Sequence, residues 1–273
     1  MPELPEVEVV RRSLAPLLGR MLHDVVGGDI DLRRPLRPHS WRDHVIGQPL
    51  ESLDRRGKFL MVSFGAHTAV VHLGMSGRLL LLPTGATPPP HTHLRLCFEG
   101  NGDVLLVDPR RFGLVEVVRS PELPSLPYLS SLGPDALDGD VPGALTRVLP
   151  GSRTPVWGVL LNQRVVAGVG NIYANEALAR AGIRPLRRSC ELGRAAVGRL
   201  AAAIPEVLAE AVAQGGTTLS DGGFVDGGNR TGYFAVHLRV YGREGKPCLH
   251  CGACIHRQRH TGRSVFFCPR CQR

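Results

Sequence analysis

The chain has 273 residues, of which 43% are hydrophobic and 21% charged, which is typical of a soluble globular protein with one large domain or two ordinary ones. Its formal net charge of +9 predicts a polyanionic partner, most often a nucleic acid. No apolar run approaches the ~18 residues of a transmembrane helix, and the N-terminus lacks the pattern of a secretory signal. We therefore expect a cytoplasmic protein without a membrane partner.

The residues that follow Met1 form the motif Pro2-Glu3-Leu4-Pro5-Glu6, which has two interpretations. Removal of Met1 would leave Pro2 as a secondary amine with a pKa of about 8, able to attack an electrophilic carbon beside two carboxylates suited to proton transfer. The alternative is a helix start, because Pro5 suits the first turn and Glu6 its positive end. Taken alone, the motif favours the helix start.

Apolar periodicity divides the chain into a β-rich half and a helical half. Residues 4–17 have helical spacing, with Pro16 expected to end or kink the helix, and residues 21–119 contain short apolar segments predicted to be strands. Residues 143–213 are Ala-rich and predicted to be helical. Residues 214–234 are Gly-rich, and a long loop of this kind is usually functional.

Arginine dominates the positive charge, because all but two of the 33 Lys and Arg residues are Arg. Genome composition explains such a bias if Lys is replaced wherever any cation suffices. Arg keeps its proton in proteins, whereas Lys can change its protonation state. Lys58 is therefore a candidate for chemistry, and Lys246, in a turn flanked by Gly and Glu, is interpreted as an ordinary surface residue.

Two CxxC pairs near the C-terminus predict a zinc site. Each pair presents two sulfurs to one ion, and together they provide four thiolates at the spacing of a zinc ribbon. Disulfides are the alternative, which the lack of a secretory signal disfavours. A closed four-thiolate site is structural, so we expect one Zn²⁺ that stabilises a hairpin. The predicted ligands are Cys248, Cys251, Cys268 and Cys271.

Three turns carry residues suited to nucleic-acid binding. Residues 168–171 join two predicted helices, and backbone N–H groups at a helix start can bind phosphate. The turns at residues 72–77 and 108–113 carry Met75 and Phe112, apolar wedges of the kind that fill a gap in a base stack. Taken alone, the turn at residues 168–171 is equally consistent with an ordinary connection between helices. The other two turns, taken alone, are interpreted as core or hairpin features.

In combination and in this order, the motifs resemble the formamidopyrimidine-DNA glycosylase family, bacterial enzymes that remove oxidised purines from DNA. The resemblance covers essentially the whole chain, and Leu4 favours this family over the related endonuclease VIII branch, which tends to carry Gly there. It implies an α+β multidomain protein: an N-terminal helix with a β-sandwich over residues 1–130, a helix–two-turn–helix domain over 131–237, and a β-hairpin zinc finger over 238–273. The Gly-rich residues 214–232 would cap the lesion within the second domain.

The resemblance also implies residue roles. Pro2 would attack the sugar C1′ of the flipped lesion, with Glu3, Glu6 and Lys58 assisting, and Arg263 would contact phosphate and support the final elimination. Trp157 departs from the family, which often has a basic residue there, so the phosphate contact falls to Arg153. Further DNA contacts are implied for His72, His91, Asn171 and Tyr241, and insertion into the duplex for Met75, Arg110 and Phe112.

The implied function is a bifunctional DNA glycosylase and abasic-site lyase that excises 8-oxoguanine and formamidopyrimidines and cleaves the strand by β,δ-elimination. Its partner would be double-stranded DNA containing oxidised bases or abasic sites, bound by a monomer in the bacterial cytoplasm at the nucleoid. The alternatives are an oxidised-pyrimidine lyase of the endonuclease VIII type and a noncatalytic zinc-ribbon DNA-binding protein.

Overall fold

A computed structural model describes residues 2–100, 102–218 and 226–273 and divides the chain into two compact units. The first comprises Met1–Ser130 and Gln214–Tyr233, and the second Ser131–Ala213 and Phe234–Arg273. Residues 214–232, which the resemblance places in the helical domain, group instead with the first unit. The reason is long-range hydrogen bonding, since the Gly227 carbonyl accepts the Leu81 N–H at 2.6 Å.

The first unit contains one long helix and a set of short antiparallel strands. The strands found between residues 59 and 119 follow the predicted apolar segments to within about two residues, the usual uncertainty of element ends. The helices are α1 (Leu4–Ser13), α2 (Arg42–Val45) and α3 (Pro127–Ser130), and the strands are β1 (Leu22–Val26), β2 (Ile30–Asp31), β3 (Pro35–Leu36), β4 (Leu50–Arg56), β5 (Phe59–Phe64), β6 (His67–His72), β7 (Arg78–Leu82), β8 (Thr92–Phe98), β9 (Asp103–Val107) and β10 (Leu114–Arg119).

The predicted β-sandwich is confirmed. One sheet has the strand order β1-β8-β9-β7 and the other β10-β6-β5-β4, with all pairs antiparallel. Alternate residues of both sheets enter one shared apolar core, in which the rings of Phe64 and Phe98 lie 6.2 Å apart. The apolar stripe of α1, including Val7 and Val10, completes this core. The helix ends at Ser13 and a short 3-10 turn contains Pro16, as the residue before a proline disfavours helical geometry.

The second unit is helical and ends in a hairpin. Its longest helices pack against each other, and the first of them ends at Gly182, whose φ of +71° fits the left-handed helix stop. No helix within the described residues is long and apolar enough to cross a membrane. The elements are α4 (Val141–Val148), α5 (Val156–Leu160), α6 (Asn171–Ala181), α7 (Arg194–Ala213), β11 (His256–His260) and β12 (Arg263–Phe267).

An ion-pair network joins α1 to the end of β4. The Glu8 carboxylate, with a side chain only 7% exposed, accepts hydrogen bonds from Arg11 at 2.8 Å, Arg12 at 2.8 Å and Arg55 at 3.2 Å. Burial acts to raise the pKa of Glu8, but the hydrogen bonds from Arg11 and Arg12 and the charges of Arg11 and Arg55 outweigh it and lower the pKa from 4.5 to about 2. Arg55 in turn donates to the Gly57 carbonyl at 3.2 Å, so the network supports the turn between β4 and β5.

We expect Glu8→Gln to lower the free energy of unfolding at neutral pH by about 2 kcal/mol, since it removes a paired buried charge. The pKa of Glu8 is lower in the folded protein than in the unfolded chain, so its ionised form stabilises the fold. This contribution to the free energy of unfolding is complete above the unfolded pKa of 4.5 and is lost as the pH falls toward 2. The difference in free energy of unfolding between the unsubstituted protein and Glu8→Gln should therefore become smaller as the pH falls. Denaturant unfolding from about pH 7 to pH 3 measures it, with the exposed Glu51→Gln as control. A gap that stays constant with pH would contradict the ion-pair interpretation.

Candidate functional site

The start of α1 places Pro2 and Glu3 immediately before the helix and buries them. Glu3 is the N-cap, and its backbone N–H donates to Oε2 of Glu6 at 2.8 Å. The other oxygen of Glu6, Oε1, accepts the backbone N–H of Thr217 at 2.8 Å. Both Glu3 and Glu6 are only 1% exposed. The helix start and the reactive motif are therefore compatible, because Pro5 occupies the first turn and leaves Pro2 ahead of it.

The Glu6 carboxylate also holds the N-terminal end of the Gly-rich segment, through the Thr217 N–H. Thr217 forms a β-bridge with Tyr233, and the Gly232 N–H donates to Oγ1 of Thr218 at 2.8 Å. Past the middle of the segment, the Gly227 N–H donates to the Ser13 hydroxyl on α1 at 3.0 Å. Both ends of the predicted lesion-capping loop are thus held by the first unit, while residues 219–225 lie outside the described residues.

Lys58 and His72 lie at one end of the second sheet. Lys58 occupies the two-residue turn between β4 and β5, where Gly57 has a φ of +58°, and it is half-buried. His72 ends β6, pairs in register with Phe59, and accepts the Gly74 N–H on Nδ1 at 3.0 Å. Burial, followed by the charges of Lys58 and Arg33, lowers the pKa of His72 to about 4. The ring is neutral at pH 7, and because Nδ1 is an acceptor, Nε2 carries the proton.

The two predicted wedge turns are fastened to each other by Asp108, which is fully buried. Its Oδ1 accepts the Ser76 hydroxyl at 2.6 Å, and its Oδ2 accepts the Gly113 N–H at 2.7 Å. The Arg110 N–H then donates to the Ser76 hydroxyl oxygen at 3.2 Å. A Cβ at Gly74, whose φ is +60°, would lie 2.4 Å from the Phe112 backbone. The turns therefore touch, and only glycine fits between them.

This arrangement brings together the three residues predicted to insert into DNA. Met75 is 41% exposed and Phe112 47% exposed, although both are large apolar side chains. The Arg110 guanidinium carbon lies 4.9 Å from the centre of the Phe112 ring. Met75 and Phe112 also line an open cavity of about 450 Å³ together with His72 and Arg33. His91, exposed and with a φ of +65°, accepts the Asp108 N–H through its carbonyl at 3.0 Å.

In the second unit, Asn171 is the first residue of α6 and is half-buried. Its Oδ1 accepts hydrogen bonds from Trp157 Nε1 at 2.9 Å and from Asn175 Nδ2 at 3.2 Å, and its Nδ2 donates to the Ser264 carbonyl on β12 at 3.1 Å. Arg263, also on β12, is exposed. The helix start predicted to bind phosphate therefore lies beside the hairpin predicted to carry a phosphate-binding arginine.

The remaining predicted DNA contacts of this unit differ in exposure. Arg153 is exposed in the segment before α5, whereas Tyr241 is half-buried with its ring 5.0 Å from that of Phe266. The backbone of Tyr241 is held by Glu176, a buried residue of α6 that accepts the N–H groups of residues 239, 240 and 241 at 2.8, 3.0 and 2.8 Å. Burial raises the pKa of Glu176 and these hydrogen bonds oppose the rise.

Two buried acids that organise the site were not among the predicted site residues. Asp108 has a local signal, since an Asp followed by Pro favours a turn in which the carboxylate binds backbone N–H groups. Glu176 has only a weak one, as a lone acid within the apolar run of α6. Apart from Gly113, their partners are distant: Ser76 lies 32 residues from Asp108, and residues 239–241 lie 63 to 65 residues from Glu176. No local pattern reveals these distant contacts.

The four predicted zinc ligands converge. Their Sγ atoms all lie within 4.8 Å of one another, with 3.9 Å between Cys248 and Cys271 and 3.5 Å between Cys251 and Cys268. A tetrahedral zinc with bonds of about 2.3 Å separates its sulfurs by about 3.8 Å, so the donor set and its spacing fit this ion. The site lies at the base of the β11–β12 hairpin, because Cys268 directly follows β12. This confirms one structural zinc and the predicted hairpin finger.

Comparison with known proteins agrees with this geometry. The chain matches three family models: the formamidopyrimidine-DNA glycosylase N-terminal domain over residues 1–115, the H2TH domain of the same enzymes over 132–222, and a zinc finger found in FPG and IleRS over 245–273. Solved structures with the same fold include the MutM (Fpg) protein of Thermus thermophilus, with 41% identity, a TM-score of 0.87 and coverage of 99% of this chain and 98% of that one. Another is a complex of Lactococcus lactis Fpg with abasic-site DNA, with 30% identity, a TM-score of 0.89 and coverage of 99% of each chain.

Curated relatives match over their full length. The formamidopyrimidine-DNA glycosylase of Methylococcus capsulatus is 45% identical and that of Gluconobacter oxydans 44%, each with all of both chains covered. These matches confirm the resemblance noted from the sequence motifs. The chain belongs to the formamidopyrimidine-DNA glycosylase family.

Proposed function

We propose that the protein is a bifunctional DNA glycosylase and abasic-site lyase of base excision repair. It excises oxidised purines, namely 8-oxoguanine and formamidopyrimidines, from double-stranded DNA and acts as a monomer at the bacterial nucleoid. The observation that carries this proposal is the start of α1, where two buried carboxylates adjoin Pro2, a potential N-terminal secondary amine. A protein that only binds DNA needs no such arrangement.

The proposed chemistry begins once Met1 has been removed. The Pro2 nitrogen attacks C1′ of the damaged nucleotide, and the C1′–N bond to the base breaks as the base leaves with a proton. Opening of the sugar ring, with Glu3 giving a proton to the ring oxygen, leaves an iminium between Pro2 and C1′. The iminium acidifies the C2′ hydrogens, so that loss of a C2′ proton expels the 3′ phosphate, and a second elimination expels the 5′ phosphate.

Lys58 and His72 supply charge and hydrogen bonding near this chemistry. Lys58 is proposed to exchange a proton, as a Lys side chain can. Its charge adds to burial, the larger cause, and to the charge of Arg33 in lowering the pKa of His72. The neutral His72 ring offers an Nε2 proton donor to DNA without adding charge. Glu6 acts through position, because both of its oxygens bind backbone N–H groups.

DNA binding divides between insertion and phosphate contact. Met75 and Phe112 fill the space left by an extruded base, and Arg110 faces the orphaned partner base, which lowers the cost of flipping the lesion. Phosphates bind to cations and to the α6 start, and these contacts supply most of the affinity. The proposed phosphate-contacting residues are Arg153, Asn171 and Arg263, and His91 and Tyr241 are proposed as further DNA contacts.

The proposal predicts a covalent adduct that depends on Pro2. Borohydride should trap the unsubstituted protein on 8-oxoguanine DNA, because it reduces an iminium to a stable amine. Pro2→Gly should reduce trapping by about 100-fold or more, a loss of about 3 kcal/mol in transition-state stabilisation. The yield is read on a denaturing gel, after intact mass spectrometry has verified that Met1 is absent.

The matched control for this experiment is Pro5→Gly, which alters the neighbouring proline and leaves the Pro2 amine in place. It should still be trapped. Failure of the unsubstituted protein to form an adduct, or equal adduct from Pro2→Gly, would overturn the lyase mechanism. A parallel panel with oxidised pyrimidines separates this function from that of an endonuclease VIII-type enzyme, which would prefer the pyrimidine duplexes.

The Asp108 fastening should be required for lesion binding. Asp108→Ala leaves the buried Gly113 N–H without its acceptor and frees the two wedge turns, at a cost of about 1–3 kcal/mol. We expect about tenfold weaker binding to a duplex with an abasic-site analogue, measured by fluorescence anisotropy. Asp103→Asn is the control, because Asp103 is also buried, on β9, but pairs with Arg95. Equal affinity of the two variants would contradict the assigned role.

Zinc should be required for DNA binding because it stabilises the hairpin that carries Arg263. Cys251→Ser should lose the metal and about tenfold or more in DNA affinity, since a structural zinc supplies folding free energy to its module. Cys254→Ser, an exposed cysteine outside the four-sulfur cluster, should keep both. Zinc content by metal analysis and affinity by anisotropy measure the two effects. Full affinity in a metal-free Cys251→Ser protein would refute this role.

A further inference from the structure

Trp157 is a buried aromatic residue whose indole nitrogen makes a specific polar contact. It lies on α5, is only 2% exposed, and its indole N–H donates to Oδ1 of Asn171 at 2.9 Å. Asn171 is the residue of α6 proposed above to contact DNA phosphate. The ring of Trp157 also stands edge-on to His260 on β11, with 5.8 Å between centroids and an interplanar angle of 80°. Trp157 therefore contacts both the α6 start and the zinc-finger hairpin.

The indole N–H determines which way the Asn171 carboxamide faces. An indole nitrogen can donate but cannot accept a hydrogen bond, so only the carbonyl oxygen of the amide can be directed at Trp157. Asn175 reinforces this orientation. Its own Oδ1 accepts the Phe266 N–H at 2.7 Å, so its Nδ2 faces Asn171, where it donates to the backbone carbonyl at 2.7 Å and to Oδ1 at 3.2 Å. With two donors on Oδ1, the carbonyl side of the amide is fully satisfied.

The donor side of the amide is only half used. Nδ2 of Asn171 carries two hydrogens, and one of them is donated to the Ser264 carbonyl at 3.1 Å. Within residues 2–100, 102–218 and 226–273, the other hydrogen has no protein acceptor. A half-buried amide with its oxygen satisfied and one N–H available is suited to an anionic oxygen, since hydrogen bonds to charged groups are stronger than neutral ones.

We propose that Trp157 is a positioning residue that holds the Asn171 amide with its free N–H toward a DNA phosphate. This inference rests on the proposed function of Asn171 and goes further by assigning the residue that orients it. The Trp157 indole and the Asn171 amide are both uncharged, so their hydrogen bond strengthens DNA binding without adding a cation. It gives this chain an oriented neutral donor at a position where a basic side chain would contribute a movable charge.

The test compares Trp157→Phe with the unsubstituted protein, since Phe keeps an aromatic ring in the core and removes the donor. We expect binding to a duplex with an abasic-site analogue to weaken about five- to tenfold, which is the effect of one oriented hydrogen bond to a charged group. The slope of log affinity against log salt should be unchanged, because no cation is lost. Loss of a cationic contact would instead make that slope shallower, by about one.

A double-mutant cycle with Asn171→Ala separates positioning from general packing. If Trp157 acts through Asn171, Trp157→Phe should change the affinity less than about twofold in the Asn171→Ala background. The same five- to tenfold loss in both backgrounds would overturn the proposal, as would unchanged affinity of Trp157→Phe alone. An Asn171→Ala protein with full affinity would overturn both this inference and the phosphate role of Asn171, while leaving borohydride trapping at Pro2 as a separate result.

Two further measurements exclude a purely structural effect. Val159→Ala, a truncation on the same helix, should lower the unfolding temperature without weakening DNA binding. The chain has two tryptophans, so the amide spectrum of a ¹⁵N-labelled protein contains two indole resonances. Asn171→Ala should move the Trp157 indole resonance upfield and leave that of Trp41 in place. An unmoved Trp157 resonance would refute the hydrogen bond itself.

Discussion

The proposed site of the first unit depends on two hydrogen bonds that the Glu6 carboxylate accepts. One of its oxygens binds the N–H of Glu3 at the helix start, and the other binds the N–H of Thr217 more than 200 residues later. Both hydrogen bonds are buried and charge-assisted, so each is stronger than an ordinary one and costly to leave unmade. A single side chain thereby holds both the residue that follows Pro2 and the N-terminal end of the Gly-rich segment. The amine proposed to react and the segment proposed to cover the lesion are thus positioned by the same side chain.

Buried polar side chains repeat this arrangement elsewhere. Asp108 fastens the two wedge turns, Glu176 holds the backbone at residues 239–241, and Asn175 holds Phe266 of the hairpin. In each case a buried side-chain oxygen accepts backbone N–H groups of a turn, a connecting segment or a hairpin strand, and Asp108 also accepts the Ser76 hydroxyl. Loops must present binding residues to DNA and cannot rely on ladder hydrogen bonds for their shape. Buried acceptors on the scaffold supply that shape.

The sequence was sufficient where the signal was local. The strands β5 and β7, the stripe of α1 and the paired CxxC knuckles each follow from spacing within a few residues. The grouping of residues 214–233 with the first unit could not be predicted, because it depends on hydrogen bonds to α1 and β7 that no periodicity encodes. The same holds for the orientation of Asn171, which depends on Trp157 and on a hairpin about 90 residues away. Local patterns therefore predicted many of the elements, the combination of motifs indicated the proposed site residues, and long-range polar contacts determine how those residues are held.

The central claim is that the amine of Pro2 forms the covalent bond to C1′ of the damaged nucleotide. The most direct measurement is tandem mass spectrometry of the borohydride-reduced adduct of the unsubstituted protein, after proteolysis and nuclease digestion. We expect the sugar remnant on the nitrogen of Pro2, on a peptide that begins at that residue. A remnant attached to the side chain of Lys58, or to any other amine of the chain, would contradict it.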